Sequence, residues 1–462
     1  MFSKKSVVVF TLLVALALVM VACAPKETPT EAPAEPAAAE FKCPSAWEML
    51  TPELQAACTG EYEGTVVTMT GPFTDEDEVK FNESVAAFEE WTGIDIQYTG
   101  TKEFETIITA AVEGGDAPDI ADFPQPGLLL NFVKSGKVVD LTDVMNQDWL
   151  KKNYKQAWLD MAQMEGIQAG VWARYNGKSQ VWYPLPAFTD AGYEIPETWD
   201  ELLALSDQIV ADGDTPWCIG IESGAATGWP ATDWMEEIML RTTSLENYDN
   251  WSFPADPADR LPFTSPEVKN AAQVMSDLWL HEGYVYGGTA AIADTFFGDA
   301  PLPMFDDPPK CWLHKQGNFI TSFFPEGTVA GKDYDFFYLP PIDDAYGKPY
   351  LIAGDIYAMF DDRPEVRAVM DFFSRGESLR TWLGSGGALS PHNDAELSWY
   401  GDDIERGIAE LVNDADSVRF DGSDLMPGAV GSGSFWKGMT DYFSGTVDLD
   451  TALAEIDASW PK

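Results

Sequence analysis

The chain has 462 residues, more than one compact core accommodates, so two lobes are expected, each with its own core. It carries 28 Lys+Arg against 76 Asp+Glu, a formal charge of −48, and such a field repels phosphate backbones and anionic lipid, which argues against nucleic acid and polybasic membrane attachment. Apolar content of 45% and aromatic content of 13% mark a folded chain, while three scattered histidines (His281, His314, His392) make a histidine-rich metal centre a poor expectation; no cofactor is expected.

Residues 1–22 begin with a basic stretch (Lys4, Lys5) and continue as an apolar run from Val7 to Ala22, followed at once by polar sequence. That is the pattern of an export signal, with a single spanning helix as the alternative. Met20-Val21-Ala22-Cys23 resembles the lipobox of bacterial lipoproteins, which implies that Cys23 is acylated and becomes the mature N-terminus; Met20 stands where Leu is usual. Residues 24–40, rich in Pro, Ala and Glu, read as an extended tether, and the globular part is expected to begin near Phe41.

With Cys23 assigned to lipid, Cys43, Cys58, Cys218 and Cys311 remain. An even count outside the cytoplasm favours two disulfides over four free thiols. Spacing suggests Cys43–Cys58 at the end of the tether and Cys218–Cys311 between distant segments, and no CxxC spacing points to zinc or redox chemistry.

From Thr65 strand and helix signals alternate. Thr65 to Thr70 is a β-rich run, Gly71-Pro72-Phe73-Thr74 a turn, and Thr74 the expected N-cap of a helix with Asp75 to Glu78 on its first turn. Phe81, Val85 and Phe88 recur at helical spacing, Gly93 ends that helix, and Ile94 to Tyr98 is the next strand. A second helix carries Phe104, Ile107, Ile108 and Ala111, and Asp119 to Phe123 is a third strand. This order predicts an α/β lobe with a largely parallel sheet. Asn176-Gly177 between two β-rich runs predicts a hairpin. After Pro184 the pattern restarts with helices around Leu202 to Ile209, Thr232 to Leu240 and Pro266 to Leu280, and a strand at Trp217 to Ile221, which reads as a second α/β lobe.

Ligands of open α/β sheets bind outside the carboxyl ends of strands. The loops there hold Phe123-Pro124-Gln125-Pro126-Gly127 in the first lobe, and Glu222 to Trp229 and Phe305 to Trp312 in the second. Each sets Trp or Phe beside Asp, Glu or Gln. Flat rings for C–H faces and short acceptors for hydroxyls are the chemistry that a neutral sugar requires.

The lipobox, the tether and the two restarted lobes resemble the extracellular solute-binding proteins of ABC sugar importers. The likeness is carried by Pro196-Glu197-Thr198-Trp199-Asp200-Glu201-Leu202, Tyr334 to Pro341, Ala353-Gly354-Asp355-Ile356-Tyr357-Ala358, Gly386 to Pro391, and Met426-Pro427-Gly428 followed by Ser434-Phe435-Trp436. Pro118 to Gly127, Trp217 to Trp234 and Cys311-Trp312-Leu313-His314 are similar to the alpha-glucoside-binding branch, and the last adds support for pairing Cys218 with Cys311. The Cys43–Cys58 extension lies outside the common family pattern, and Asp306-Asp307-Pro308-Pro309 departs from its usual Gly-rich loop.

The resemblance implies an α/β, two-lobed periplasmic-binding-protein fold of the maltose-binding kind, hinged by crossover strands near Val181–Tyr183, Tyr346–Ile352 and Asn393. It divides the chain into a signal (1–22), a lipid-anchored tether and extension (23–62), lobe I (63–181 and 350–392) and lobe II (184–345 and 395–462). It implies closure of the lobes on a neutral sugar, with delivery to an ABC permease by a lipid-anchored monomer that is not an enzyme. Phe123, Trp229, Trp312 and Trp436 are then expected to stack on sugar; Gln125, Asp233, Asp306 and Asp355 to accept hydroxyl hydrogen bonds; and Thr74 and Glu76 to add polar contacts, helix capping being the alternative for Thr74, Glu76 and Asp233. The rivals are a surface glycoside hydrolase, which needs a carboxylate pair roughly 5–10 Å apart, and an adhesin or scaffold.

Overall fold

The first lobe is organised around a mixed sheet whose order is Ser417–Phe420, Pro349–Met359, Ile120–Phe123, Val66–Gly71, Asp95–Gly100, with Val171–Gly177 as a further partner of Pro349–Met359. The computed structural model describes residues 40–461; the expected signal segment, Cys23 and the expected tether up to residue 39 lie outside them. Val66–Gly71 pairs in parallel with Asp95–Gly100 and Ile120–Phe123, as the strand–helix alternation predicts. Pro349–Met359 then adds antiparallel edges, Ile356 opposite Phe123 and Ile352 opposite Gly177. Every residue of Ile120–Phe123 and Pro349–Met359 is buried, so these strands form the centre.

Glu76–Thr92 covers the sheet with Phe81, Val85 and Phe88 inward, and Gly93 closes it at φ +72°. Thr74 is not its N-cap. Asp75 takes that place at φ +57°, and the Thr74 hydroxyl donates to the Asp75 carboxylate at 3.2 Å. The Cys43–Cys58 disulfide closes the N-terminal extension, which docks on this lobe when Thr51 donates its amide and hydroxyl to Asp371 Oδ2, both at 2.8 Å.

The second lobe is mostly helical. Trp199–Ala211 opens with a Thr198/Glu201 capping box, and Trp229–Thr242, Pro266–Trp279, Trp436–Phe443 and Leu449–Ala458 pack around the buried tryptophans Trp217, Trp234, Trp251 and Trp279. Its sheet has three strands, with Gln180–Tyr183 between His314–Lys315 and Asp335–Tyr338. The expected strand at 217–221 is reduced to isolated bridges: Trp217 meets Val285 and Leu313, and Glu222, just beyond it, meets Phe296. The Cys218–Cys311 disulfide staples this region.

The hairpin expected at Asn176-Gly177 does not form. Val171–Gly177 pairs with Pro349–Met359, and Gln180–Tyr183 pairs with strands of the second lobe. The dipeptide is instead the first crossing between lobes, tied to the second where the Lys178 amide donates to the Leu351 carbonyl at 2.8 Å. A third crossing follows Phe420, which packs in the first core, whereas Met426 packs in the second. Asn393 stays on the first lobe, its amide bonded to the Asn153 carbonyl, and Tyr400, Ile404 and Ile408 are also in the first core. Among the described residues no helix is long and apolar enough to cross a membrane.

Candidate functional site

The loops leaving the first sheet at 72–74 and 124–125, the strand end at 174–178 and residues 353–355 form one wall of a cleft. Residues 223–233, 296–297 and 319–323, with 421–424 and Trp436, form the other. The cleft holds about 970 Å³, its open mouth included.

On the first wall Arg174 lies buried with its guanidinium 4.2 Å from the Phe73 ring and 4.3 Å from the Trp382 ring. Its Nε donates to Asp355 Oδ2 at 2.7 Å, and its Nη1 lies 3.5 Å from Asp77 Oδ2. Burial opposes the cation, but Asp355 and Asp77 carry Arg174 above its ordinary value. Burial pushes Asp355 up despite Arg174, and pushes Asp122, in the strand beneath, well above the carboxylate range with help from Asp355.

Deeper in the cleft Lys178, just past the first crossing strand, donates from Nζ to Asp233 Oδ1 at 2.9 Å and to Asp421 Oδ2 at 2.6 Å. It thereby joins the helix Trp229–Thr242 to the third crossing. Burial also pushes Asp421 up, but Lys178 and hydrogen bonds from its neighbours outweigh this and hold it at about 2. Asp233, buried and beside the Asp421 charge, is pushed up to about 7 despite Lys178. The oxygens of Asp233, Glu236 and Asp421 lie within 4.8 Å of one another, and the Lys178 ammonium already supplies the compensating charge. Glu236 is committed to the Gly422 and Ser423 amides, both at 2.9 Å.

Among the described residues, six buried polar atoms of the cleft lining make no hydrogen bond: Asp77 Oδ1, Gln125 Oε1, Arg174 Nη1, Asn176 Oδ1, Asp233 Oδ2 and Trp436 Nε1. Buried polar atoms are ordinarily paired, so their concentration in one cleft marks a surface shaped for a ligand with many hydroxyls. The half-buried rings of Trp229, Phe296, Phe297, Phe319 and Phe323 face the same space.

Of the residues expected from sequence, Thr74, Gln125, Trp229, Asp233, Asp355 and Trp436 line the cleft. Gln125 donates from Nε2 to Glu105 Oε1 at 3.1 Å, and burial pushes Glu105 up to about 7. Four expected residues lie elsewhere. Phe123 is fully buried in its strand against Phe104, Phe132 and Phe360, since a strand buried on both faces turns no residue outward. Trp312 is buried in the second core, edge-on to Tyr193 at 5.0 Å. Asp306 pairs with Lys310 at 2.5 Å beside a separate surface depression. Glu76 is exposed, and the helix turns its neighbour Asp77 inward. Sequence reasoning missed Asp77, Arg174, Asn176, Lys178 and Asp421, and it missed the phenylalanines even though Phe296-Phe297 and Phe323-Phe324 are visible as doublets.

The profile of the bacterial extracellular solute-binding proteins matches residues 74–375. The chain belongs to that family: it is an extracytoplasmic sugar-binding component of an ABC importer, and not an enzyme. It is 44% identical over 403 residues to the osmoprotective compounds-binding protein GgtB of Synechocystis sp., covering 87% of this chain and 94% of that one. It is 40% identical over 410 residues to the alpha-glucosides-binding periplasmic protein AglE of Rhizobium meliloti, covering 87% and 88%. Among solved structures, the fold is similar to the solute receptor AcbH, with a TM-score of 0.72 at 17% identity over 85% of this chain and 98% of that one. It is also similar to maltose-bound MalE3 of T. maritima, at 0.67 and 13% identity over 86% and 98%.

Proposed function

We propose that this protein captures a small neutral α-glucoside, of the class of maltose, trehalose or sucrose, by closing its lobes on it. The observation that carries the reading is the cleft itself, where unpartnered acceptors and donors on both walls meet aromatic rings. Four of those atoms are carboxylate or amide oxygens suited to accept from hydroxyls, and two, on Arg174 and Trp436, donate. The two buried cations that line the cleft, Arg174 and Lys178, are offset by carboxylates, which favours a neutral ligand over an ion. The similarity to an alpha-glucosides-binding protein and to an osmoprotective compounds-binding protein fits a compact, highly soluble glucoside.

In this reading Trp229 and Trp436 stack on the sugar, Gln125, Asp233 and Asp355 engage hydroxyls directly or by positioning Arg174, and Thr74 contributes at the rim. The protein acts as a monomer, held by lipid on Cys23 near its permease; the lipobox-like Met20 to Cys23 supports the anchor. A thermal-shift screen with maltose, trehalose, sucrose, glucose and an anionic control tests the reading. A concentration-dependent rise in Tm with one or more α-glucosides is expected. No rise with any neutral sugar, or sustained release of glucose from a disaccharide, would reject it.

A further inference from the structure

The second wall of the cleft carries more apolar ring than a single sugar can use. Phe297 lies 4.7 Å from Phe296, 5.1 Å from Phe323 and 6.3 Å from Phe319 between ring centroids, and all four rings line the cleft half-buried. Trp229 joins this shelf to the polar floor: its ring is 5.0 Å from Phe297 and 5.8 Å from Phe319, and Lys178 Nζ lies 5.3 Å from it on the side of the Asp233 pair. From the first lobe, Lys102 Nζ sits 4.0 Å from the Phe296 centroid at the shelf's edge.

A phenyl ring has no hydrogen-bonding group, so a hydroxyl placed against it loses its water without compensation. The C–H face of one pyranose covers one or two rings, and the six unpartnered polar atoms belong to other lining residues, none of them to the shelf. A surface of four contiguous phenyl rings therefore matches a ligand portion that is itself apolar.

We propose that the Phe296, Phe297, Phe319 and Phe323 shelf is an aglycone subsite, and that this protein binds α-glucosides carrying an aryl or alkyl group on the anomeric oxygen. The proposal rests on the α-glucoside reading above: the glucosyl ring occupies the polar floor at Arg174, Lys178 and Asp233 against Trp229, and the aglycone extends past Trp229 onto the phenylalanines.

Calorimetric titration with methyl, phenyl and hexyl α-D-glucopyranoside on the full mature chain tests it. Removing a phenyl or hexyl group from water is worth at least about tenfold in Kd, so both are expected to bind at least tenfold more tightly than the methyl glucoside. Their binding should also show a more negative ΔCp. In Phe323→Ala and Phe297→Ala the phenyl-to-methyl affinity ratio should fall toward one, and in Phe323→Leu, which keeps the surface apolar, it should be largely retained. Circular dichroism confirms that each variant is folded. Equal affinity for methyl and phenyl glucosides would overturn the subsite while leaving the α-glucoside reading standing. A preference that survives unchanged in both alanine variants would overturn its assignment to the shelf. Failure of every glucoside, maltose and trehalose included, would overturn the underlying reading and the subsite with it.

Discussion

The wall supplied by the first lobe and the wall supplied by the second are built from opposite materials. On the first, Asp77 and Gln125 project from two helix starts and Arg174, Asn176 and Asp355 from two strands, beside a sheet whose central strands are buried throughout. On the second, Trp229, Trp436 and the phenylalanines dominate, and Asp233 is the main polar group, held by Lys178 from the crossing segment. A polar wall fixes orientation because each donor and acceptor must be matched, whereas an aromatic wall tolerates many orientations of an apolar face. Specificity is thus expected to reside mainly in the first lobe and retention in the second. Lys178, which bonds backbone and carboxylates around all three crossings, ties the two to the hinge.

Substitution should separate the two walls by the kind of damage done. Arg174→Met leaves Asp355, Asp77 and Asp122 without their shared cation, and breaking such a buried pair costs about 3–5 kcal/mol of stability. Urea unfolding should register this as a lower midpoint, and an unchanged midpoint would remove the first wall's structural role. Trp229→Ala, on a half-buried ring, should instead spare most of the stability and weaken sugar binding by roughly tenfold or more. If its loss of stability matches that of Arg174→Met, the contrast between walls fails.

The smallest expected effect is a pH dependence. Asp233 is held at about 7 mainly by burial, and so is Glu405, which accepts from the Gly387 amide and from Asn318. Both folded-state values lie above those of an unfolded carboxyl, so the folded chain keeps protons that the unfolded chain releases between about pH 4 and 7. Their contribution to stability is full below that window, declines as pH rises through it and is lost above about pH 7. Tm should therefore fall between pH 5 and pH 8, and the slope should flatten in Asp233→Asn. A slope identical to that of the wild type would mean that Asp233 is already ionised at pH 5.

Much of the fold was legible because its strands and helices obey local rules. Val67 and Met69 alternate inward in Val66–Gly71, Phe81, Val85 and Phe88 keep helical spacing, and Thr198 with Glu201 forms a local capping box. The crossings were not legible. Asn176-Gly177 carries a hairpin signature, yet the partner of its first strand lies at 352–357, and no local pattern announces pairing at that separation. Arg174 and Lys178 flank that dipeptide, and a hairpin there gives neither of them a place in a cleft between lobes. Phe123 and Trp312 looked like ligand aromatics because sequence does not give the outward face of a segment that has none. Asp233 and Trp229 were legible because Gly228-Trp229-Pro230 opens a helix at the end of a loop, which places both in its first turns.

The central claim is that the cleft takes a neutral α-glucoside between the two walls. Isothermal titration of the purified protein with trehalose, sucrose and maltose tests it most directly. Saturable binding of at least one of them at one site per chain is the predicted result, weakened in Trp229→Ala and in Asp233→Ala. Absence of heat with all three, together with unchanged intrinsic tryptophan fluorescence, would contradict it.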